Sequence, residues 1–297
     1  MDSGRVIKAA VVQAGSVLFD TPATLVKLQE RAAEAAAAGA SLIVFPEAFV
    51  GGYPKGMDFG AVVGHRTPEG RRDFRRYYES AIDVPGPETG RIGQTALQHQ
   101  AWIVAGVIER DGGTLYCTAL FFSPDGSLAG KHRKIMPTAM ERLIWGYGDG
   151  STLTVLDTPL GRLGAVICWE NYMPAMRLAM YSKGIELYCA PTVDDRDTWA
   201  VSMRHIAFEG RCFVLSAVQH TARIRGGSII VNPQGQVLAG PVYGEETVLA
   251  ADLNMDEIAE GKYDFDATGH YSRPDLFSLR VNESEQRSVA REDPARE

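Results

Sequence analysis

The chain alternates short continuous apolar runs with longer stretches whose apolar residues recur every three to four positions. "VIKAAVVQ" (6–13) has the length and composition of a buried strand. Asp20-Thr21-Pro22 then supplies a helix cap and a first-turn proline. "ATLVKLQERAAEAAAA" places Leu25, Leu28 and Ala32 on one side of a helix that Gly39 ends. "SLIVF" (41–45) predicts a second strand, closed by Pro46. Helices are predicted over 66–80 and 88–99, and a strand at "WIVAGVIE" (102–109). "LYCTALFFS", "PDGS" and "LAGKHRK" read as strand, turn and strand. Residues 153–157 and 163–168 form another strand pair, and helices near 173–183 and 197–210 flank the strand "ELYCA" (186–190). "CFVLSAVQ", "GSIIVN", a "PQG" turn, "QVLAG" and "TVLAADL" complete the pattern. "FFSPDGSLAGK" and "IIVNPQGQVLAG" resemble each other, which hints at two similar layers.

Strands interspersed with helices predict an α/β core with helices outside. No composition shift or Gly/Ser linker divides the 297 residues, so a single domain is expected. The last stretch, 281–297, is charged and nearly free of apolar residues, and is expected to be a mobile tail. Hydrophobic residues make up 45% and charged residues 23%, an ordinary globular balance. A net charge of −7 without a long Lys/Arg run argues against nucleic acid or an anionic membrane as partner. No apolar run reaches membrane-spanning length, and the N-terminus lacks a signal-peptide pattern, so a cytoplasmic protein is expected. Cys117, Cys168, Cys189 and Cys212 show no C-x-x-C pairing and no zinc spacing, which leaves buried filler or a reactive thiol and no metal site.

Three strand exits carry polar residues suited to chemistry, where α/β sites are usually built. In "SLIVFPEAFVGGYP", Glu47 follows an apolar strand; a partly desolvated carboxylate there would serve as a base, or else it is a helix-start carboxylate beside a turn. "LAGKHRKIMPT" carries Lys131, His132, Arg133 and Lys134, read either as an exposed basic edge or as one ammonium turned inward to hold negative charge. In "GRLGAVICWENYMP", Cys168 ends a strand and a helix begins after a bend. A nucleophile on such a turn meets free backbone N–H groups and a helix dipole that favour the thiolate. Cys168, Glu47 and Lys134 make a coherent set of nucleophile, proton carrier and charge holder. A cysteine–histidine pair is the rival, although none of the six histidines has a context that marks it as a base.

The sequence resembles the nitrilase superfamily, specifically its nitrilase branch. The resemblance rests on "FPEAFVGGYP" with Glu47, "HRKIMPT" with Lys134 and "CWENYMP" with Cys168, in that order. "ERLIWGYGDGS" is similar to the segment that carries a second glutamate, here Glu141, and "GHYSRPDLF" to the C-terminal signature. The similarity covers residues 5 to 280. It implies a four-layer αββα sandwich, paired subunits (a dimer or an assembly of dimers), no cofactor, and hydrolysis of a nitrile to its acid and ammonia. Glu47, Lys134, Cys168 and Glu141 would be catalytic, with Glu141 positioning Lys134 or shuttling a proton. Tyr53, Trp145, Trp169, Glu170, Thr192 and Val193 are the substrate-pocket candidates. The helix after Cys168 would contribute to subunit pairing, and His270 would be structural or lie at a subunit contact. An amidase, a nitrile or cyanide hydratase on the same site, and a non-catalytic scaffold are the competing readings. The sequence does not name the nitrile.

Overall fold

The computed structural model describes residues 5–287 and 289. Two seven-stranded sheets make up the centre. In the first, the strands run Thr247–Asn254, Val6–Gln13, Leu42–Val44, Trp102–Asp111, Thr114–Phe122 and Leu128–Arg133, with Ile82–Asp83 beside Trp102–Asp111. In the second they run His220–Thr221, Ile224–Val231, Phe213–Ser216, Leu187–Cys189, Gly161–Ala165 and Val155–Thr158, with Val237–Tyr243 beside Ile224–Val231. Each sheet holds a parallel trio with antiparallel strands outside it, and in the first Ile82–Asp83 adds a further parallel pairing to Trp102–Asp111.

Strand parity builds the layers. Successive side chains on a strand point to opposite faces. Ala9, Val11, Leu42, Val44, Val104, Leu163, Ala165, Leu187, Leu215 and Ile230 meet in one core between the sheets. Their immediate neighbours along each strand face outward. Ala10, Val12, Ile43, Ile103 and Ala105 pack under helices α1 (Thr21–Ala37) and α3 (Pro87–His99), separate in sequence from α2 (Pro68–Ser80). Val166, Tyr188, Val214 and Ile229 pack under α4 (Pro174–Ser182) and α5 (Asp197–Gly210). Strands buried on both faces read as continuous apolar runs rather than alternating ones. The result is a four-layer αββα sandwich in a single domain. The two resembling hairpin sequences fall one in each sheet, with matching turns: Gly126 N–H to Ser123 C=O at 2.9 Å and Gly235 N–H to Asn232 C=O at 2.9 Å.

Some elements were not foreseen. A short hairpin pairs Ala61–Val62 with His65–Arg66, and a sixth helix, α6, spans Asp256–Asp264. The helix expected after Cys168 is two pieces, a 3-10 turn at Cys168–Tyr172 and then α4, because Pro174 can open a helix but cannot donate within one. Of the stretch expected as a mobile tail, residues 288 and 290–297 lie outside the described residues. Before them the chain is in contact with the body: Gln286 N–H donates to Asp149 at 2.7 Å and Lys183 pairs with Glu283 at 2.8 Å. Among the described residues no helix is long and apolar enough to cross a membrane.

One close approach fixes where the chain can place chemistry. After Leu42–Val44 the chain follows Trp102–Asp111, joined by Phe45 N–H to Val104 C=O at 2.8 Å and Val50 N–H to Gly106 C=O at 3.0 Å. Residues 46–49 bulge between those bonds and cross over Gly106. A Cβ there would lie 2.1 Å from the Pro46 carbonyl oxygen and 2.7 Å from Glu47 Cα. Backbone on both sides leaves nothing flexible to yield. Gly106→Ala is expected to cost about 1–3 kcal/mol of unfolding free energy in a urea titration. Gly113→Ala, with nothing within 4 Å of the new Cβ, should stay within about 0.5 kcal/mol of wild type.

Candidate active site

The residues singled out in the sequence come from the carboxyl ends of the parallel strands, as open α/β sheets favour. Glu47 follows Leu42–Val44, Cys168 follows Gly161–Ala165, and Thr192 and Val193 follow Leu187–Cys189. Lys134 leaves the end of Leu128–Arg133. Parity sorts the basic tract. Lys131 and Arg133 turn to Glu109 on the helix side, at 2.6 Å each. His132 and Lys134 turn inward, beside Ala119 and Cys117 of the neighbouring strand. The tract is therefore not an exposed basic edge: Lys131 and Arg133 are half-buried on Glu109, and Lys134 is the ammonium turned inward.

Lys134 is buried between two carboxylates. Its Nζ donates to Glu47 Oε1 at 2.6 Å and to Glu141 Oε2 at 2.8 Å. Glu141 is fixed by Tyr53 O–H at 2.7 Å and by Thr138 N–H at 2.6 Å. Burial draws the Lys134 ammonium down, but Glu47, Cys168 and Glu141 raise it well above the ordinary lysine value, so it stays charged. Burial pushes the Glu47 carboxyl up, Lys134 pulls it back and Glu141 lifts it again, leaving it at about 7. One ammonium does not neutralise two carboxylates, so Glu47 carries a readily exchanged proton near neutrality. Glu47 Oε2 is buried without a hydrogen-bond partner, an acceptor held ready for a proton from elsewhere.

Cys168 sits at the turn with φ 51°, a left-handed conformation uncommon for a side chain of this kind. That strained turn matches the elbow anticipated from the sequence. The thiolate expectation does not hold for the resting site. Burial pushes the Cys168 thiol up and Glu47 raises it further, with Lys134 pulling down, so the net shift is well upward. The short 3-10 turn offers little dipole against full desolvation. A nucleophile at this position would have to give up its proton as it attacks. Trp169 N–H precedes the first bond of that turn, Glu170 N–H to Ile167 C=O at 3.2 Å, and the leading N–H groups of a helix have no intrahelical acceptor.

The cluster opens into a cavity of about 520 Å³. Cys168 and Glu141 reach its surface; Glu47 and Lys134 are buried behind it. Tyr53, Trp145, Trp169 and Val193 line it, along with Met57, Met140, Leu143, Ile144 and the charged Lys55 and Arg196. Two pocket candidates do not. Glu170 is fully buried and its oxygens are occupied by His132 Nε2 at 3.0 Å, Ile135 N–H at 2.5 Å and Ile167 N–H at 2.7 Å. It ties the Lys134 segment to the Cys168 segment, because a carboxylate between two strand exits collects the backbone N–H groups left there. Thr192 is also buried, with its hydroxyl against Cys168 Sγ at 3.1 Å. His270 lies far along the chain, beside Tyr271 with ring centroids 5.2 Å apart, and does not line the cavity.

Sequence reasoning missed several supporting residues. Cys117 Sγ lies 3.6 Å from Glu47 Oε1, and Gln219 Nε2 donates to the Glu47 carbonyl at 2.8 Å. Asn171 Nδ2 donates to the carbonyls of Val166 and Cys168, both at 2.8 Å, and so holds the elbow. Asp194 accepts from Trp169 Nε1 at 2.9 Å and from Arg196 Nε at 2.8 Å, fixing the indole at the cavity wall. Only the acidic pair after "APTV" gave any local signal for these. Among the described residues no three His, Cys, Asp or Glu side chains group as a metal site.

The Carbon-nitrogen hydrolase family profile matches residues 8–263. The chain is 58% identical to an aliphatic nitrilase of Sinorhizobium fredii, covering 95% of this chain and 97% of that one. It is 55% identical to a bifunctional nitrilase/nitrile hydratase of Nicotiana tabacum, covering 93% and 86%. A nitrilase-superfamily structure from Saccharomyces cerevisiae superposes with a TM-score of 0.75 at 25% identity, covering 90% of this chain and 97% of that one. The chain belongs to the carbon-nitrogen hydrolase family, the nitrilase superfamily, and within it to the nitrilase branch.

Proposed function

We propose that this protein is a nitrilase that converts an organic nitrile and two waters into the carboxylic acid and ammonia through covalent intermediates on Cys168. The observation that carries this reading is the buried Glu47–Lys134–Glu141 cluster behind a cavity thiol, in a chain similar to named nitrilases over nearly its whole length. The relatives' names supply the nitrile; the geometry supplies a route.

A nitrile carbon is a weak electrophile and calls for a strong nucleophile. Cys168 holds its proton at rest, and Glu47 near 7 with a free Oε2 is the base suited to take it. As sulfur attacks, negative charge grows on nitrogen, where the Lys134 ammonium and the Trp169 N–H offset it. Proton return gives a thioimidate. Glu47 then takes a proton from water, which adds to the same carbon. The tetrahedral species releases ammonia to leave a thioester, and a second water frees the acid. Glu141, held by Tyr53 and Thr138, keeps Lys134 aimed. Release of the sulfur in place of ammonia gives an amide, the hydratase outcome, and a bifunctional relative of this chain keeps that branch in view.

Three accompanying readings rest on lighter support. Subunit pairing fits the apolar residues left exposed near the C-terminus, among them Leu276 at 62% and Phe277 at 79%. A cytoplasmic setting fits four unpaired, buried cysteines. Residues 5–280 form the working domain in this reading, with 281–297 outside it.

Purified protein and Cys168→Ala, given aromatic, arylacetic and aliphatic nitriles, should differ absolutely: acid matched by ammonia from wild type, neither from the variant. Turnover of amides but of no nitrile would replace this reading with an amidase. Glu47 acts as base only when ionised, and its ionised fraction falls as pH drops through about 7. The kcat/KM profile is therefore expected to lose about tenfold per pH unit below that point. An acid limb centred near the ordinary glutamate value would mean that Glu47 is not the titrating base. Glu47→Gln should lower kcat by about a hundredfold or more at the optimum.

A further inference from the structure

The structure sets Thr192 against the nucleophile instead of the substrate. Its Oγ1 lies 3.1 Å from Cys168 Sγ and accepts Asp194 N–H at 2.9 Å. A hydroxyl has one proton and two lone pairs. With a backbone N–H on one lone pair, the proton is free to point at sulfur. The arrangement is stiff. Thr192 N–H donates to Ala217 C=O at 2.9 Å, and Cys168 N–H donates to Pro191 C=O at 2.9 Å, so hydroxyl and sulfur are held by neighbouring backbone. Thr192 is fully buried and β-branched, which restricts its rotamer.

We propose that Thr192 is a catalytic residue that stabilises negative charge on Cys168 Sγ, and so sets both the rate of attack and the partition of the tetrahedral species between acid and amide. The partition half rests on the nitrilase reading above. Charge resides on sulfur twice. During attack the S–H proton passes to Glu47, the S–C bond forms and one C≡N electron pair moves to nitrogen. At the tetrahedral stage the carbon carries hydroxyl, amino group and sulfur. When C–N breaks, the hydroxyl proton ends on the departing nitrogen, giving ammonia and a thioester. When C–S breaks, the electron pair returns to sulfur and the hydroxyl proton re-forms the thiol, giving an amide. A donor on sulfur assists only the second cleavage. Thr192 therefore speeds attack and raises the amide share. Burial pushes the Cys168 thiol up, and the Thr192 hydrogen bond is among the influences drawing it back.

Thr192→Val removes the hydroxyl and keeps the branch; Thr192→Ser keeps the donor. The first readout is the rate of Cys168 alkylation by iodoacetamide at fixed pH, with Cys168→Ala as the blank for the other thiols. Thr192→Val is expected to slow it by about ten- to a hundredfold, the range for losing a hydrogen bond to a charged group, and Thr192→Ser to restore it. The second is the amide fraction from nitrile, which should fall in Thr192→Val and recover in Thr192→Ser. Unchanged alkylation in Thr192→Val, or a rise in its amide fraction, overturns the proposal. A wild-type protein that turns over no nitrile sinks the nitrilase reading alone, because the alkylation rates still decide what Thr192 does for sulfur.

Discussion

One ammonium buried between two carboxylates governs this structure. Removing ions from water is costly, and a buried charge persists only where partners satisfy it. Lys134 has Glu47 and Glu141 at hydrogen-bond distance, and each carboxylate has further donors of its own. The charge count is uneven, and that unevenness places Glu47 near 7 while Lys134 stays protonated. A paired, neutralised cluster would hold the fold as well but would leave no group able to exchange a proton near neutrality. In the proposed route Cys168, with its thiol pushed upward, depends on that group.

The short "CWEN" segment divides between reaction and frame. Cys168 faces the cavity, and the Trp169 ring forms part of its wall. Glu170 and Asn171 turn away from it and hold the elbow from behind, Glu170 through two strand exits and His132, Asn171 through the carbonyls on either side of the turn. Burial draws the His132 ring down, yet Glu170 beside it, 3.0 Å from Nε2, raises it overall. Positions within about an ångström decide reaction geometry. A left-handed residue such as Cys168 persists only where its surroundings over-determine it, and these clamps are what does so here.

The fold was legible because both faces of its central strands are buried. Runs such as "VIKAAVVQ" and "SLIVF" have no other stable use in a chain of this polarity. Helix limits followed from Asp20, Pro22 and Gly39, whose backbone preferences are local. The hairpin near residue 62 has two-residue, largely exposed strands, too short to show a pattern, and α6 buries only Ile258 and Gly261, which leaves little apolar periodicity to read. Glu47 and Cys168 stood out because each follows an apolar strand, whereas Lys134 lies in a polar tract and was marked by the resemblance of "HRKIMPT" to the family motif. Glu170 and Thr192 lie off the cavity wall because a position next to a nucleophile or at a strand exit does not say which way a side chain turns.

By itself the sequence determined the strand and helix alternation and the single α/β domain, and it named Glu47, Lys134, Glu141 and Cys168 as candidates, since these rest on local pattern, residue chemistry and family resemblance. Only the tertiary structure shows how "KHRK" divides, because strand parity together with the place of the strand's end turns Lys134 inward to Glu47 and sends Lys131 and Arg133 to Glu109. It alone shifted Glu47 and Cys168 upward, because desolvation and neighbouring charge belong to the packed molecule. It alone set the Thr192 hydroxyl on sulfur, 24 positions along the chain from Cys168, because two strand exits meet there through backbone hydrogen bonds that no local pattern records.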